Sequence, residues 1–102
     1  MKYNKLVRDR VIEYLKEIGK SPSYHKAGEK EYFKKLKEKL KEEVEEYLKE
    51  NTKEELADIL EIIYAICNYK KISRKELENV RKIKAKTKGK FLERIILDEA
   101  DN

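Results

Sequence analysis

The segment from Leu56 to Cys67, LADILEIIYAIC, is apolar on almost every side of the helix that its spacing predicts. A helix without a clear polar face needs to be buried in a bundle or at a subunit interface. A chain of 102 residues makes one domain, spanning 1–102, and one thin layer of helices cannot cover this segment from all sides. We therefore expect an all-α fold, a four-helix bundle that is completed by dimerisation into a homodimer or a higher homo-oligomer.

The rest of the chain also shows helical periodicity. Apolar residues recur at helical spacing from Val7 to Ile18, and again over about residues 29–50. Asn51-Thr52 separates the second helix from the third. A capping-box pattern from Ser73 to Glu76 opens a fourth helix, which Gly89 closes. We expect the apolar tail at residues 91–97 to pack on the bundle.

Composition supports helices and narrows the classes of partner. Charged residues make up 46% of the chain, with one Pro, three Gly and no Trp, a balance typical of amphipathic helices. The net charge of +5 fits an anionic partner such as a nucleotide or nucleic acid, and the Lys and Glu content fits heat-adapted ion-pair networks equally well. The single Cys67 excludes an intrachain disulfide, and no apolar run approaches a membrane span. We expect a cytoplasmic protein with no membrane partner.

Two pairs of acidic residues stand out from this helical background. Glu43 and Glu46 are three residues apart on the second predicted helix, and Glu55 and Asp58 are three apart on the third. Such residues are neighbours on a helix surface, so antiparallel packing of the two helices could bring the pairs together. Four converging carboxylates repel one another unless they splay into solvent or enclose a cation.

Each of these acids also has a plainer interpretation. Glu42 faces away from the apolar stripe, as a solvated side chain would. Glu55 stands three residues after Thr52 and completes a capping-box pattern. Asp58 is the hardest to explain as surface charge, because it lies among apolar residues and helix interiors gain nothing from Asp.

The chemistry available to these residues is phosphoanhydride hydrolysis. Hard cations such as Mg²⁺ prefer carboxylate oxygens and keep several waters. A remaining carboxylate could act as general base on one of those waters. Five basic side chains could neutralise a polyphosphate, namely Lys5, Arg8, Arg81, Lys84 and Lys88. Arg81, Lys84 and Lys88 also form a stripe that is typical of a solvated helix face.

The acidic pattern resembles that of a known family. EEVEE at residues 42–46, followed by ELAD at residues 55–58 and by Glu61, is similar to the motifs of MazG-type all-α nucleotide pyrophosphohydrolases. The opening YNKLVRDR and the closing basic helix, Phe91 and residues 95–99 resemble a compact house-cleaning or phosphoribosyl-ATP pyrophosphohydrolase-like subgroup. The resemblance covers nearly the whole chain. Only eight residues separate Glu46 from Glu55, so the two helices need a tight turn, and Ile12 stands near the place of a Pro that is frequent in the subgroup.

The resemblance implies a MazG-like bundle and cleavage of a nucleoside triphosphate between its α and β phosphates, with Mg²⁺ as the cofactor and Mn²⁺ as an alternative. It implies that Glu43, Glu46, Glu55 and Asp58 are the metal ligands. Glu42 and Glu43 would be the catalytic residues, with Glu42 either a further ligand or a helper of the attacking water. Under this hypothesis nucleic acid is not an expected partner. The alternative hypothesis is a small basic helical module that binds nucleic acid or a protein without catalysis.

Overall fold

The computed structural model describes residues 3–101, and within that range the chain forms four helices and no strand. They are α1 (Val11–Glu17), α2 (Glu29–Glu50), α3 (Lys53–Tyr69) and α4 (Arg74–Lys88). This confirms the predicted all-α fold and the number of helices. None of the described helices is long and apolar enough to cross a membrane.

Helices α2 and α3 form an antiparallel hairpin that holds most of the packing in the chain. Asn51 reverses the chain between them in a left-handed conformation (φ 58°, ψ 32°), and its backbone N–H donates to the carbonyl of Tyr47 at 2.8 Å. Asn tolerates this conformation better than most residues. Leu36 is fully buried and Cys67 is 6% exposed, so the small core of the chain belongs to this hairpin.

Helix α1 is shorter than the periodicity of the sequence indicates. It starts at Val11, and Val7 lies in the non-helical segment before it. Its end is as predicted: Gly19 has φ +83°, and the N–H groups of Gly19 and Lys20 donate to the carbonyls of Lys16 and Leu15 at 3.0 Å. This paired pattern of hydrogen bonds is a Schellman motif.

Helix α3 ends in the same way, but with Lys71 in place of a glycine at φ +60°. The N–H of Ile72 donates to the carbonyl of Cys67 at 2.8 Å. Helix α4 then begins with the predicted capping box, in which the Ser73 hydroxyl accepts from the N–H of Glu76 at 3.1 Å and the Glu76 carboxylate accepts from the N–H of Ser73. The hydrogen-bonded end of α3 and the capping box at the start of α4 therefore define the short connection between these two helices.

The chain is far more extended than an independent domain of its length. Its radius of gyration is 18.2 Å and its extents are 60 × 31 × 25 Å, against a radius of about 13 Å for a compact chain of this length. Helix α4 touches α3 only sparsely, and α1 makes no close approach to the other three helices. A single chain therefore does not close a bundle by itself.

The tail at residues 91–97 was expected to pack on the bundle, and in the single chain this expectation is wrong. The large apolar side chains of the tail are between 77% and 98% exposed. Because α4 separates from the α2–α3 hairpin, it carries the tail away from the core that the sequence pattern suggested as its partner.

Candidate functional site

Glu43 is the acidic side chain that the fold places in its interior. It lies on α2 and is 9% exposed, and only Leu36 and Cys67 are as well buried among the described residues. The Nζ atom of Lys39 lies 3.3 Å from Glu43 Oε1. Burying a carboxylate costs free energy unless it is paired, and the Lys39 ammonium, one helical turn earlier, supplies the pairing.

Glu42 stands next to this pair and binds two ammonium groups. Its Oε1 atom lies 3.1 Å from the Nζ of Lys5 and 3.4 Å from the Nζ of Lys39. Partial burial raises the pKa of the Glu42 carboxyl, but the hydrogen bond from Lys5 and the charge of Lys39 outweigh it, so the pKa is lower than usual. Glu42 is therefore a carboxylate held in its ionised form.

Asp58 is bound by a residue near the N-terminus of the chain. Arg8 Nη2 donates to Asp58 Oδ1 at 2.6 Å, and the Asp58 side chain is 35% exposed. Lys35 Nζ also donates to the backbone carbonyl of Asn4 at 2.8 Å. The N-terminal segment, residues 4–8, is thus tied to α2 through Lys5 and to α3 through Arg8, and it spans the two helices beside the acidic residues.

The other two predicted metal ligands lie in different surroundings. Glu55 is half-buried, and its Oε1 accepts a hydrogen bond from the Thr52 hydroxyl at 2.8 Å. Thr52 makes no side-chain capping hydrogen bond to the α3 backbone, so the predicted capping box there is incomplete. Glu46 is exposed and forms no ion pair with any described residue.

The predicted ligand set does not come together in the single chain. Among residues 3–101, no three acidic, histidine or cysteine side chains stand close enough to hold a metal ion. Glu43 and Asp58 instead face basic partners, Lys39 and Arg8. The assignment of the four acids as metal ligands stays a prediction.

The basic residues assigned to phosphate fall into two groups. Lys5 and Arg8 reach the acids directly. Arg81 is instead paired on its own helix with Glu78, at 2.9 Å from Nε to Oε2, and this pairing lowers the pKa of Glu78 and raises that of Arg81. Lys84 and Lys88 are exposed on α4 and form no ion pair with the acids among the described residues.

Lys39 is the site residue that sequence reasoning undervalued. In the sequence it is one of many lysines on α2, whereas in the structure its side chain is 18% exposed and contacts both Glu42 and Glu43. The signal was present in the spacing, because Lys39 precedes Glu43 by one helical turn on the same side of α2.

A separate open groove of about 920 Å³ lies at the other end of the hairpin. Phe33 and Tyr69 stack there with ring centroids 5.0 Å apart, and the ammonium groups of Lys37 and Lys70 lie 4.5 Å and 5.0 Å from the Phe33 centroid. None of the predicted metal ligands lines this groove. Its aromatic rings are already stacked on each other, so they tie the open end of the hairpin together.

Comparison of the chain with protein-family models, with curated proteins and with solved structures finds no match. The MazG-type pattern at residues 42–58 is therefore a resemblance in motif.

Proposed function

We propose that the protein is a metal-dependent nucleotide pyrophosphohydrolase that works as a homodimer with a MazG-like bundle and cleaves a nucleoside triphosphate, or a related nucleotide, between its α and β phosphates. One observation carries the proposal: Glu43, a carboxylate, occupies one of the few buried positions of the chain. An apolar side chain there would stabilise the hairpin without the cost of burying charge. A buried carboxylate is better explained by a task in binding.

The residues around Glu43 suit that task. Asp58 is half-buried on the facing helix, and Glu42 is kept ionised by its lysine neighbours. In the proposed active dimer, Glu43, Glu46, Glu55 and Asp58 would hold Mg²⁺ or Mn²⁺. A bound metal ion supplies charge neutralisation at the phosphates and a more acidic water.

The chain's own side chains would do the remaining work. Glu42 would accept the proton of the attacking water, since its carboxylate is ionised and lies next to Glu43. Lys5 and Arg8 would move from the carboxylates to the phosphate oxygens of the substrate. Both side chains are accessible to solvent, at 45% and 59%, and form charge-assisted hydrogen bonds that a polyphosphate could take over.

The direct test is hydrolysis by the purified protein. It would be incubated with canonical nucleoside triphosphates, oxidised or otherwise modified ones, and phosphoribosyl-ATP, with Mg²⁺, with Mn²⁺ and with a chelator. The expected products are a nucleoside monophosphate, or its phosphoribosyl counterpart, and pyrophosphate. Glu43→Gln and Asp58→Asn should abolish turnover, whereas Glu45→Gln, on an exposed position of the same helix, should leave it unchanged.

The absence of turnover with every nucleotide would contradict the enzyme proposal. In that case the alternative becomes the working hypothesis. A small basic module of this kind would bind nucleic acid with an affinity that falls steeply with salt concentration.

A further inference from the structure

The tail of the chain exposes an unusual amount of apolar surface. After Gly89, at φ +87°, the described chain continues without a helix or a strand, and no hydrogen bond joins residues 90–101 to any other described residue. Five large apolar side chains are 77–98% exposed in the tail, namely Phe91, Leu92, Ile95, Ile96 and Leu97. Apolar side chains clustered this closely at the surface mark a site of interaction.

The α2–α3 hairpin has an uncovered surface of matching character. Val44 and Leu48 on α2, and Leu56 and Leu60 on α3, are 39–70% exposed and stand at similar distances from the Asn51 turn. Each pair is four residues apart, so each forms a strip along its helix. We call these four residues the apolar face.

The apolar face lies on the opposite side of the hairpin from the acids. At about 100° per residue, Val44 and Leu48 stand on one side of the buried Leu36 on α2, and Glu42 and Glu46 on the other. On α3, Asp58 lies about 160° around the helix from Leu60. The N-terminal segment, bound at Lys5 and Arg8, therefore covers the acidic side and leaves the apolar face bare.

Charges at the two surfaces are complementary as well. The apolar part of the tail is followed by three acids, Asp98, Glu99 and Asp101. Lys41 and Lys53 flank the apolar face by the same helical geometry. None of these five residues forms an ion pair with another residue in the range 3–101.

The accessible surface identifies a second copy as the occupant. One chain exposes 9933 Å², whereas a compact chain of this mass exposes about 6,100 Å². The difference, about 3,800 Å² per chain and so about 7,600 Å² for two chains, exceeds the roughly 2,000–5,000 Å² that obligate dimers commonly bury over both partners, so the surplus surface is ample for a stable dimer. Since α4 separates from α3 and carries the tail away from its own hairpin, the apolar face that the tail meets belongs to another chain.

We propose that the tail, residues 91–97, docks on the apolar face of a second copy, with the acids that follow it beside Lys41 and Lys53, so that two chains exchange arms. This assigns the interface of the dimer proposed above and does not depend on the chemistry of the acidic residues. Exchange of an identical element between protomers is a common route to a dimer.

The first test compares the full chain with a chain that ends at Lys90, by analytical ultracentrifugation. The full chain is expected to have the mass of a dimer, and the truncated chain that of a folded monomer with unchanged helical circular dichroism. A truncated chain that still dimerises would overturn the arm exchange while leaving the proposed dimer intact. A full chain that is monomeric at high concentration would overturn both.

Point variants test the same interface if the truncated chain fails to fold. Ile95→Asp and Leu60→Asp, one on each side of the proposed contact, should each raise the dissociation constant of the dimer at least about tenfold. Val80→Asp, at an exposed apolar position of α4 outside the contact, should leave it unchanged. Equal effects of all three substitutions would contradict the assigned interface.

Disulfide trapping shows which chain receives the tail. In a background with Cys67→Ala, a chain with Leu60→Cys is mixed with a chain with Ile95→Cys and oxidised. The expected product is a covalent dimer of the two different chains. A chain that carries both Leu60→Cys and Ile95→Cys is oxidised in parallel. An intrachain disulfide in a monomer of this chain would show that the tail folds back on its own hairpin, and would overturn the proposal.

Discussion

Arg8 Nη2 lies 2.6 Å from Asp58 Oδ1, across a separation of 50 residues in the sequence. The predicted phosphate-binding residue is thus bound to a predicted metal ligand. Lys5 likewise binds Glu42, a predicted catalytic residue, at 3.1 Å. These basic side chains and a metal cation therefore compete for the same carboxylate oxygen atoms.

The first prediction follows from this competition. Arg8→Ala should raise the affinity for Mg²⁺, because Asp58 loses its partner; since exposed ion pairs contribute about 0–1 kcal/mol, the rise should be at most about fivefold. Isothermal titration calorimetry with Mg²⁺, or paramagnetic resonance with Mn²⁺, measures it.

The control for this variant is Arg10→Ala. Arg10 pairs with Glu13 on its own helix at 3.0 Å and does not reach the acids, so its removal should leave the Mg²⁺ affinity unchanged. A loss of Mg²⁺ affinity in Arg8→Ala would show that Arg8 helps to form the metal site.

The second prediction separates stability from function at Glu43. Glu43→Leu should leave the free energy of unfolding unchanged or raise it by about 1–2 kcal/mol, because replacing a buried charge by an apolar side chain is often stabilising. Lys39 keeps Glu42 as a partner in this variant. Urea unfolding measures the stability, and Mg²⁺ titration of the same protein should show lost binding.

Glu45→Leu is the matched control for this prediction, because Glu45 is exposed on the same helix. It should change neither the free energy of unfolding nor the Mg²⁺ affinity. If Glu43→Leu lowered the free energy of unfolding by several kcal/mol, the Glu43–Lys39 pair would be a structural element, and the main support for the proposed function would be gone.

Much of the fold could be predicted from the sequence, because its helices are marked by local signals. The bounds of α2 agree with the periodicity of its apolar residues, and the capping box at Ser73 was readable from four residues. Val7 was assigned to α1 in error, because periodicity alone does not show where the backbone leaves the helix.

The site was less predictable, because its contacts join distant parts of the chain. Spacing paired Glu43 with Glu46 on one helix surface, and the structure buries Glu43 while it leaves Glu46 exposed. No spacing rule could show that Arg8 would reach Asp58, since the path of the N-terminal segment is set by tertiary contacts. The packing of the tail was predicted wrongly for the same reason, because its apolar pattern indicates that it packs against another surface and does not show which surface that is.

The third prediction concerns pH. The pKa of Glu42 is lowered in the folded chain, so the stabilisation from its lysine partners is fully present above the ordinary glutamate pKa and is lost as the pH falls through the lower, folded value. Lys5→Met should therefore lower the free energy of unfolding at pH 7, by less than about 1 kcal/mol for so exposed a pair. At pH values where Glu42 is protonated, the variant and the wild type should converge.

Urea unfolding of both proteins at pH 7 and at a series of acidic pH values measures this difference. Lys20→Met is the control, because Lys20 forms no ion pair among the described residues and its removal should have no such pH-dependent effect. A deficit of Lys5→Met that did not shrink anywhere along the acidic series would mean that Lys5 acts through packing of its aliphatic stem.

The last prediction compares two helix starts that look alike in sequence. Ser73 and Thr52 both precede a Glu at the third helical position, yet only Ser73 accepts a backbone N–H, and Thr52 gives its hydroxyl hydrogen to Glu55. Ser73→Ala should cost about 1 kcal/mol of unfolding free energy. Thr52→Ala should lower the free energy of unfolding by less, because no backbone N–H donor loses a partner. The same substitution frees Glu55 for another ligand. Chemical denaturation of both variants, with Mg²⁺ titration of Thr52→Ala, measures the two effects; an equal loss of stability would mean that Thr52 caps α3 in solution.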